Sequence, residues 1–544
     1  MATQAEVRDP GGESVASGRG WTLAVVCIAT FMLMLDLTVV NVALPDMRVS
    51  LDADFSELQW VLDSYALTLA AFLLTGGSLA DRLGRKRIFN AGFVVFTLAS
   101  LGCGVSQSIL QLNLARGLQG VGAAVLFAVG PALIGHEYRG KDRGQAFGIF
   151  GGVVGLAIAF GPLIGGGLTD ALNWRWIFLV NVPIGAVALA IGALRIRESR
   201  NPDSHRVDWA GLVVFSSALG LLVTGFLRGH AEGWDSAPIV SMFTGSAVLL
   251  VLFVFIERRR GDAAMLDLSM FRIPTFIGMS AATLLWNSTV LSAIFLQISY
   301  LQNVLGFSPL GTGVRFLPMT LTLFVVAGVT GLLVAKVSPK LLAVLSGTLM
   351  ASGLFLVTLV RHDSKWTVLL PSMLVAGVGM GIYQPLRAAL SVGMVEPDKA
   401  GMSSGIAETF QQVGVALGIA VFGAVFQSRV ADSFAGSQAA GELGGKADQF
   451  GDAVSTGAVG EMAKALPPEL AGKVAEAARS AFVDGLHDVL VASSTVTAVG
   501  AVIALLCIRS KDLHESARGD QLTDLDAEFR DLPELDGLSR NAKD

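Results

Sequence analysis

Four ionisable side chains fall inside apolar stretches, where an unpaired charge is costly and usually has a task. Asp36 lies in Thr30–Pro45, TFMLMLDLTVVNVALP, and at ~1.5 Å per helical residue it sits roughly 12–14 Å in from Pro45. Arg116, in Leu112–Ala124, LNLARGLQGVGAA, falls about 9 Å in from the same face, so the depths allow an Asp36–Arg116 ion pair. Asp63 follows Trp60 by three residues, one turn inside the boundary. It reads either as a carboxylate at a mouth, drawing protons or cations, or as a hydrated helix-end residue. Glu408 shares one helical face with Gly401, Ser404, Gly405, Gln411 and Gln412. That polar stripe reads as cavity lining or as a helix–helix hydrogen bond. Carboxylates in a poorly screened setting hold protons or attract lipophilic cations. The chemistry on offer is ion exchange rather than bond cleavage.

A second group of charges sits at the end of a span. Gly77–Arg87 reads GSLADRLGRKR. Asp81 stands at membrane depth among Arg82, Arg85 and Lys86, while Gly77 permits close approach of a neighbour and Gly84 a tight turn. Glu137, in the next loop of the same side, is a candidate partner for one of the arginines. Weaker pocket candidates are Trp286, Asn287, Gln297, Tyr383 and Gln384, sparse polar groups in later spans. Tyr300, near a span end, reads as an interfacial anchor.

The elements that must hold these residues are membrane spans. The chain has 544 residues, 53% hydrophobic and 15% charged, against about 25% charged in a soluble domain. Fourteen apolar stretches are expected to cross a bilayer, near 21–45, 59–80, 88–108, 110–134, 144–168, 176–195, 208–228, 238–256, 275–300, 311–335, 340–360, 367–391, 401–426 and 489–508. Lys and Arg crowd alternate loops, at 82–87, 139–143, 195–206 and 258–272, which predicts both termini on the cytoplasmic side. No concentrated basic face suggests nucleic acid, no nucleotide-binding loop or metal-spaced His/Cys cluster appears, and an enzyme is not expected. Cys27, Cys103 and Cys507 lie in apolar runs and read as free thiols.

The fifth stretch, Phe147–Leu168, FGIFGGVVGLAIAFGPLIGGGL, places Gly148, Gly152, Gly155, Ala159, Pro162 and Gly166 on one helical stripe. Such a stripe lets helix backbones approach in lipid, and Pro162 invites a bend. A faint internal repeat appears at an offset of 254 residues, where Gly77–Lys86 meets Gly331–Lys340. The offset corresponds to eight spans; in the architecture of two parallel six-helix halves that the resemblance given below implies, it leaves two extra spans between the halves. The expected organisation is an N-terminal tail at 1–20, a half at 21–195, extra spans and linkers at 196–274, and a second half at 275–508. The second half carries an outward loop at 427–488, with an amphipathic helix opened by Pro467-Pro468-Glu469, and a tail follows at 509–544.

Several of these stretches are similar to signatures of the major facilitator superfamily, and in particular of its 14-span drug:proton antiporters. G-x-L-A-D-R-x-G-R-K at 77–86 resembles the superfamily's cytoplasmic gate loop. L-D-x-T-V-V-N-V-A-L-P at 35–45 and L-x-x-x-R-x-x-Q-G-x-G at 112–122 resemble first- and fourth-span signatures. Gly161-Pro162-x-x-Gly165-Gly166, with Gly155 before it, resembles the antiporter motif of the fifth span. The resemblance implies a monomeric, multi-pass exporter in the plasma membrane, driven by a proton gradient without a cofactor. It implies proton coupling through Asp36 and Arg116, with Glu408 and Asp63 as further candidates, and a hydrophobic or cationic small-molecule substrate. A solute:proton importer or a non-transporting sensor on the same fold are the alternatives.

Overall fold

The computed structural model of the chain describes residues 10–512, apart from 54, 200–207, 261–265, 335, 363, 397–398, 457–458 and 464–465. The expected tails lie partly outside the described residues, at 1–9 and 513–544. Long helices dominate because a chain crossing hydrocarbon must pair its backbone groups within itself. In chain order they are α1 Pro10–Leu51, α2 Phe55–Leu83, α3 Arg85–Gly104, α4 Ile109–Glu137 and α5 Gly140–Ala171. Then follow α6 Asn181–Arg195, α7 Trp209–Glu232, α8 Ala237–Arg260, α9 Pro274–Ser299 and α10 Pro309–Leu333. The last four are α11 Pro339–Leu356, α12 Leu370–Gly393, α13 Ala400–Ala435 and α14 Pro468–Cys507.

Thirteen of these helices, with the short turn Trp176–Leu179 running into α6, are long and apolar enough to cross a membrane among the described residues. The remaining one is α5, 32 residues long, several of whose side chains, Pro162 among them, lie outside the described residues. Local sequence sets the breaks. Ser108, Ser308 and Ser338 accept hydrogen bonds from backbone N–H groups of the first turns of α4, α10 and α11, and prolines open α9, α10, α11 and α14. Gly84, at φ 112°, turns the chain from α2 into α3 in a conformation that side-chain-bearing residues rarely adopt.

Two apolar cores organise the bundle. One joins α1–α6 and the other α9–α14, with Phe89, Phe93 and Phe96 fully buried in the first and Trp286, Tyr300 and Phe482 in the second. Helix α7 packs on α8 and also on both α2 and α13, so the extra pair lies along one seam between the halves. The arginine-rich end of the bundle, the basic end, holds the start of α1 at Arg19 and the last described residues around Asp512. The Tyr138 hydroxyl donates to the carbonyl of Arg19 at 2.7 Å, and the Thr275 hydroxyl donates to Asp512 at 2.7 Å.

The halves close on each other at the basic end through glycine. A Cβ on Gly77 would collide with the carbonyl of Gly401, and one on Gly144 with the carbonyl of Gly331. Gly77 and Gly331 are the repeat positions, and each abuts the first turns of the fifth helix of the opposite half, α13 or α5. At the far end, the described residues of 427–488 are a helical hairpin with short helices at its tip: α13 and α14 run on past the span limits and pack by Phe426–Phe482 ring contact at 4.9 Å. Val474 and Ala481 are buried in it. Tyr300 is buried beneath this hairpin, 6.5 Å from the Phe482 ring, so it is a core residue and not an interfacial anchor. The hairpin covers what the span pattern alone leaves at a boundary.

Candidate functional site: two buried ion pairs and a seam latch

In the N-terminal half, α1 and α4 bring Asp36 and Arg116 into direct contact, and both side chains are about 1% exposed. Gln119, one turn along α4, stitches the pair together. Its amide nitrogen donates to Asp36 Oδ1 at 3.1 Å and to the Ser100 hydroxyl at 2.8 Å, while its oxygen accepts from Arg116 Nη1 at 2.7 Å. Arg116 Nε donates to the carbonyl of Val61 at 2.9 Å, and the guanidinium lies 4.2 Å from the Tyr65 ring centroid. A charge taken from water is tolerable only when paired and hydrogen-bonded in this way. The depth match anticipated the pair. Gln119 was visible in the sequence, but its role as the bridge was not.

The glycines of α5 divide between two neighbours. Gly148 and Gly155 meet α10 at Ala327, Gly331 and Leu323, whereas Gly161 and Gly165 meet α1 at Thr38 and Val39, two and three residues from Asp36. Gly166 is half-buried. One helix therefore touches both the Asp36 neighbourhood and the opposite half.

In the C-terminal half a second pair appears that the sequence reading did not contain. Arg387 Nη1 of α12 donates to Glu408 Oε1 of α13 at 2.7 Å, with both side chains nearly inaccessible. Tyr383, one turn from Arg387, accepts at its hydroxyl from Asn287 Nδ2 at 2.9 Å. Arg387 lies two turns from the basic end of its span, where an arginine ordinarily snorkels outward, so its inward course left no pattern to read. Gln411 is buried and Gln412 half-buried. Trp286 donates from Nε1 to the carbonyl of Thr497 at 3.0 Å and fills the notches at Gly347 and Gly500, which makes it packing inside the half. Gln297 is buried, with its Oε1 unpaired.

At the basic end Asp81 joins the halves. Its carboxylate accepts from Arg85 Nε at 2.9 Å and Nη2 at 2.7 Å within the N-terminal half. It also accepts from the backbone N–H groups of Gly401 at 3.1 Å and Met402 at 2.7 Å, and so caps α13 across the seam. An anion at a helix N-terminus is held by unpaired N–H groups and by the helix dipole. Arg82 is acted on by the charges of Asp208, which caps α7, and Glu257 of α8. Lys86 donates from its backbone N–H to Glu198 at 3.1 Å. Glu137, expected to partner an arginine, forms no ion pair among the described residues; Arg85 turns inward to Asp81 one helical turn away. Asp63 is buried on α2, and the charge of Arg228 on α7 acts on it. Below the latch, Lys399 Nζ meets Asp267 at 2.8 Å, which fastens the α8–α9 linker to the start of α13. Among the described residues no group of three His, Cys, Asp or Glu side chains is placed to hold a metal ion.

A membrane bundle of two packed helical halves, each with a buried ion pair and joined by a latch at one end, has the build of a transporter. The chain belongs to the Major Facilitator Superfamily, whose profile matches residues 26–419. It is 34% identical over 409 residues to the multidrug resistance protein Stp of Mycobacterium tuberculosis, covering 74% of this chain and 75% of that protein. It is 31% identical over 494 residues to the tetracenomycin C resistance and export protein of Streptomyces glaucescens, covering 90% and 91%. It is 34% identical over 437 residues to the probable actinorhodin transporter of Streptomyces coelicolor, covering 77% and 75%. In fold it is similar to the human organic anion transporter MFSD10, with a TM-score of 0.57 and 13% identity over 91% of this chain and 100% of that one. It is also similar to the proton:xylose symporter XylE, with a TM-score of 0.55 and 15% identity over 83% and 96%.

Proposed function

We propose that the chain is a proton-coupled antiporter that exports amphipathic small molecules across the plasma membrane by alternating access. It works as a monomer, without a cofactor, with the basic end and both termini in the cytoplasm. The observation that carries this reading is the Asp36–Arg116 pair bridged by Gln119. A proton arriving at Asp36 removes the negative charge that holds Arg116, which keeps its bonds to Gln119 and Val61. Helix α1 is thereby loosened from α4. Thr38 and Val39 of α1 seat Gly161 and Gly165 of α5, so the change reaches the helix whose other half forms the α5–α10 seam. Parting that seam and releasing Asp81 from α13 opens the basic end to load substrate, and loss of the proton to the cytoplasm resets the pair. The names of the relatives, resistance and export proteins, support outward transport.

Everted membrane vesicles with an acidified lumen test the reading. The antiporter accumulates an amphipathic dye in the lumen and stops when a protonophore collapses the gradient. A solute:proton importer drives the dye out instead, and a non-transporting sensor produces no flux; either result sinks the proposal.

A further inference from the structure

We infer that Arg387 is a specificity-determining residue. With Glu408 it forms a charge-neutral polar patch that receives uncharged aromatic solutes carrying a carbonyl and a hydroxyl, and that disfavours permanent cations. Taken alone, Glu408 on its polar stripe would attract a lipophilic cation. Its carboxylate, however, is matched by the Arg387 guanidinium at 2.7 Å. A cation entering here gains from Glu408 about what it loses to Arg387, and it still gives up its hydration.

The pair is also incompletely bonded. Arg387 Nε, Glu408 Oε2, Gln411 Oε1 and Ser404 Oγ are all buried without a hydrogen-bond partner. Buried polar atoms are seldom left so, because each costs its full desolvation. The cluster offers one charged donor and two acceptors, with a hydroxyl able to serve as either. A solute carbonyl satisfies Arg387 Nε, and a hydroxyl beside it satisfies Glu408 or Gln411. The Tyr383 ring, whose centroid is 6.0 Å from the guanidinium, provides an aromatic neighbour.

Placement makes the patch reachable. On α12, Gln384, one turn before Arg387 and on the same side of the helix, touches the opposite half at Gly151. On α13, Gly405 lies against Leu73 and Leu74 of α2. The pair thus lies on the seam between the halves and is uncovered when they part.

The transport consequence rests on the export reading, but binding does not, so the test uses equilibrium dialysis of the protein in lipid nanodiscs without any gradient. The probes are 2-hydroxyanthraquinone, anthraquinone and tetraphenylphosphonium. Wild type binds the hydroxylated probe more tightly than anthraquinone and tetraphenylphosphonium weakly. Arg387→Gln leaves Glu408 unopposed. It weakens 2-hydroxyanthraquinone by about tenfold, the worth of one hydrogen bond to a charged group, and strengthens tetraphenylphosphonium. Arg387→Lys retains the wild-type order of preference for the cation. Should Arg387→Gln fail to insert, Arg387→Gln/Glu408→Gln, which removes both charges together, carries the test. It narrows the gap between the hydroxylated and plain anthraquinones without creating a cation preference. Unchanged probe ratios in the variant tested overturn the inference. A failure of gradient-driven transport with these binding shifts intact would instead strike the antiport reading.

Discussion

At the residue scale the centre of the account is a carboxylate whose bonds are all accounted for. Asp36 is held by Arg116 and Gln119, and Gln119 is held in turn by Ser100. Gln119→Leu removes one donor to Asp36 and one acceptor for Arg116, while the ion pair itself stays. The expected outcome is a gradient-driven rate lowered by about tenfold with an altered pH profile, measured in vesicles at matched protein levels. A purely structural role for Gln119 would lower the amount of folded protein and leave the pH profile unmoved. The Asp36–Arg116 pair was legible in the sequence because a helix advances a fixed distance per residue, so two residues in separate spans can be compared by depth. The Arg387–Glu408 pair was not legible. Depth alone does not say which way an arginine near a span end turns, and only the packing of α12 on α13 decides it.

At the scale of elements, glycine placement does most of the positioning. The small-residue stripe and the Gly-Pro-x-x-Gly-Gly motif of α5 were readable, but not that Gly148 and Gly155 of the stripe meet α10 while Gly161 and Gly165 of the motif meet α1, because periodicity names a face and not the neighbours that face meets. The division predicts two different losses. Gly148→Leu forces α5 from α10, where the added side chain meets Ala327 and Gly331; it prevents closure of the basic end, read as labelling of a cysteine introduced at the basic-end seam that the unsubstituted background protects. Gly161→Leu presses on Thr38 beside Asp36 and abolishes proton coupling while that protection persists. Expression of both variants is retained, since an added leucine favours insertion of a membrane helix. Identical labelling patterns for the two would contradict the division.

The α8–α9 linker adds a pH-dependent element outside the membrane. Burial raises the Asp267 carboxyl, but the hydrogen bonds from Lys399 and Ser269 outweigh it and hold the group below the usual carboxylate range. A depressed folded value stabilises the fold above the ordinary value of about 3.9, and the contribution disappears as pH falls through the folded value. Acid unfolding of Asp267→Asn, followed by intrinsic fluorescence, is therefore expected to show a shallower dependence than wild type below about pH 4. Superimposable curves would remove Asp267 from the account.

At the scale of the whole molecule, the two halves meet through equivalent glycines, Gly77 on Gly401 and Gly331 on Gly144. The internal repeat foreshadowed this symmetry at two positions of the chain. Asp81 caps α13, while the corresponding position in the second copy of the repeat is Ala335, so the repeat carries this acid in its first copy, where a proton or a neutral substitution can weaken the cap. The place of α7, against both α2 and α13, was beyond sequence reading, because its apolar surface fits lipid and protein equally well. The central claim is that proton binding at Asp36 drives movement of the halves. The most direct measurement compares wild type and Asp36→Asn in proteoliposomes, first for substrate exchange at equal pH on both sides and then for accumulation under an imposed gradient. The account predicts that Asp36→Asn retains exchange and loses accumulation; accumulation at the wild-type rate would contradict it.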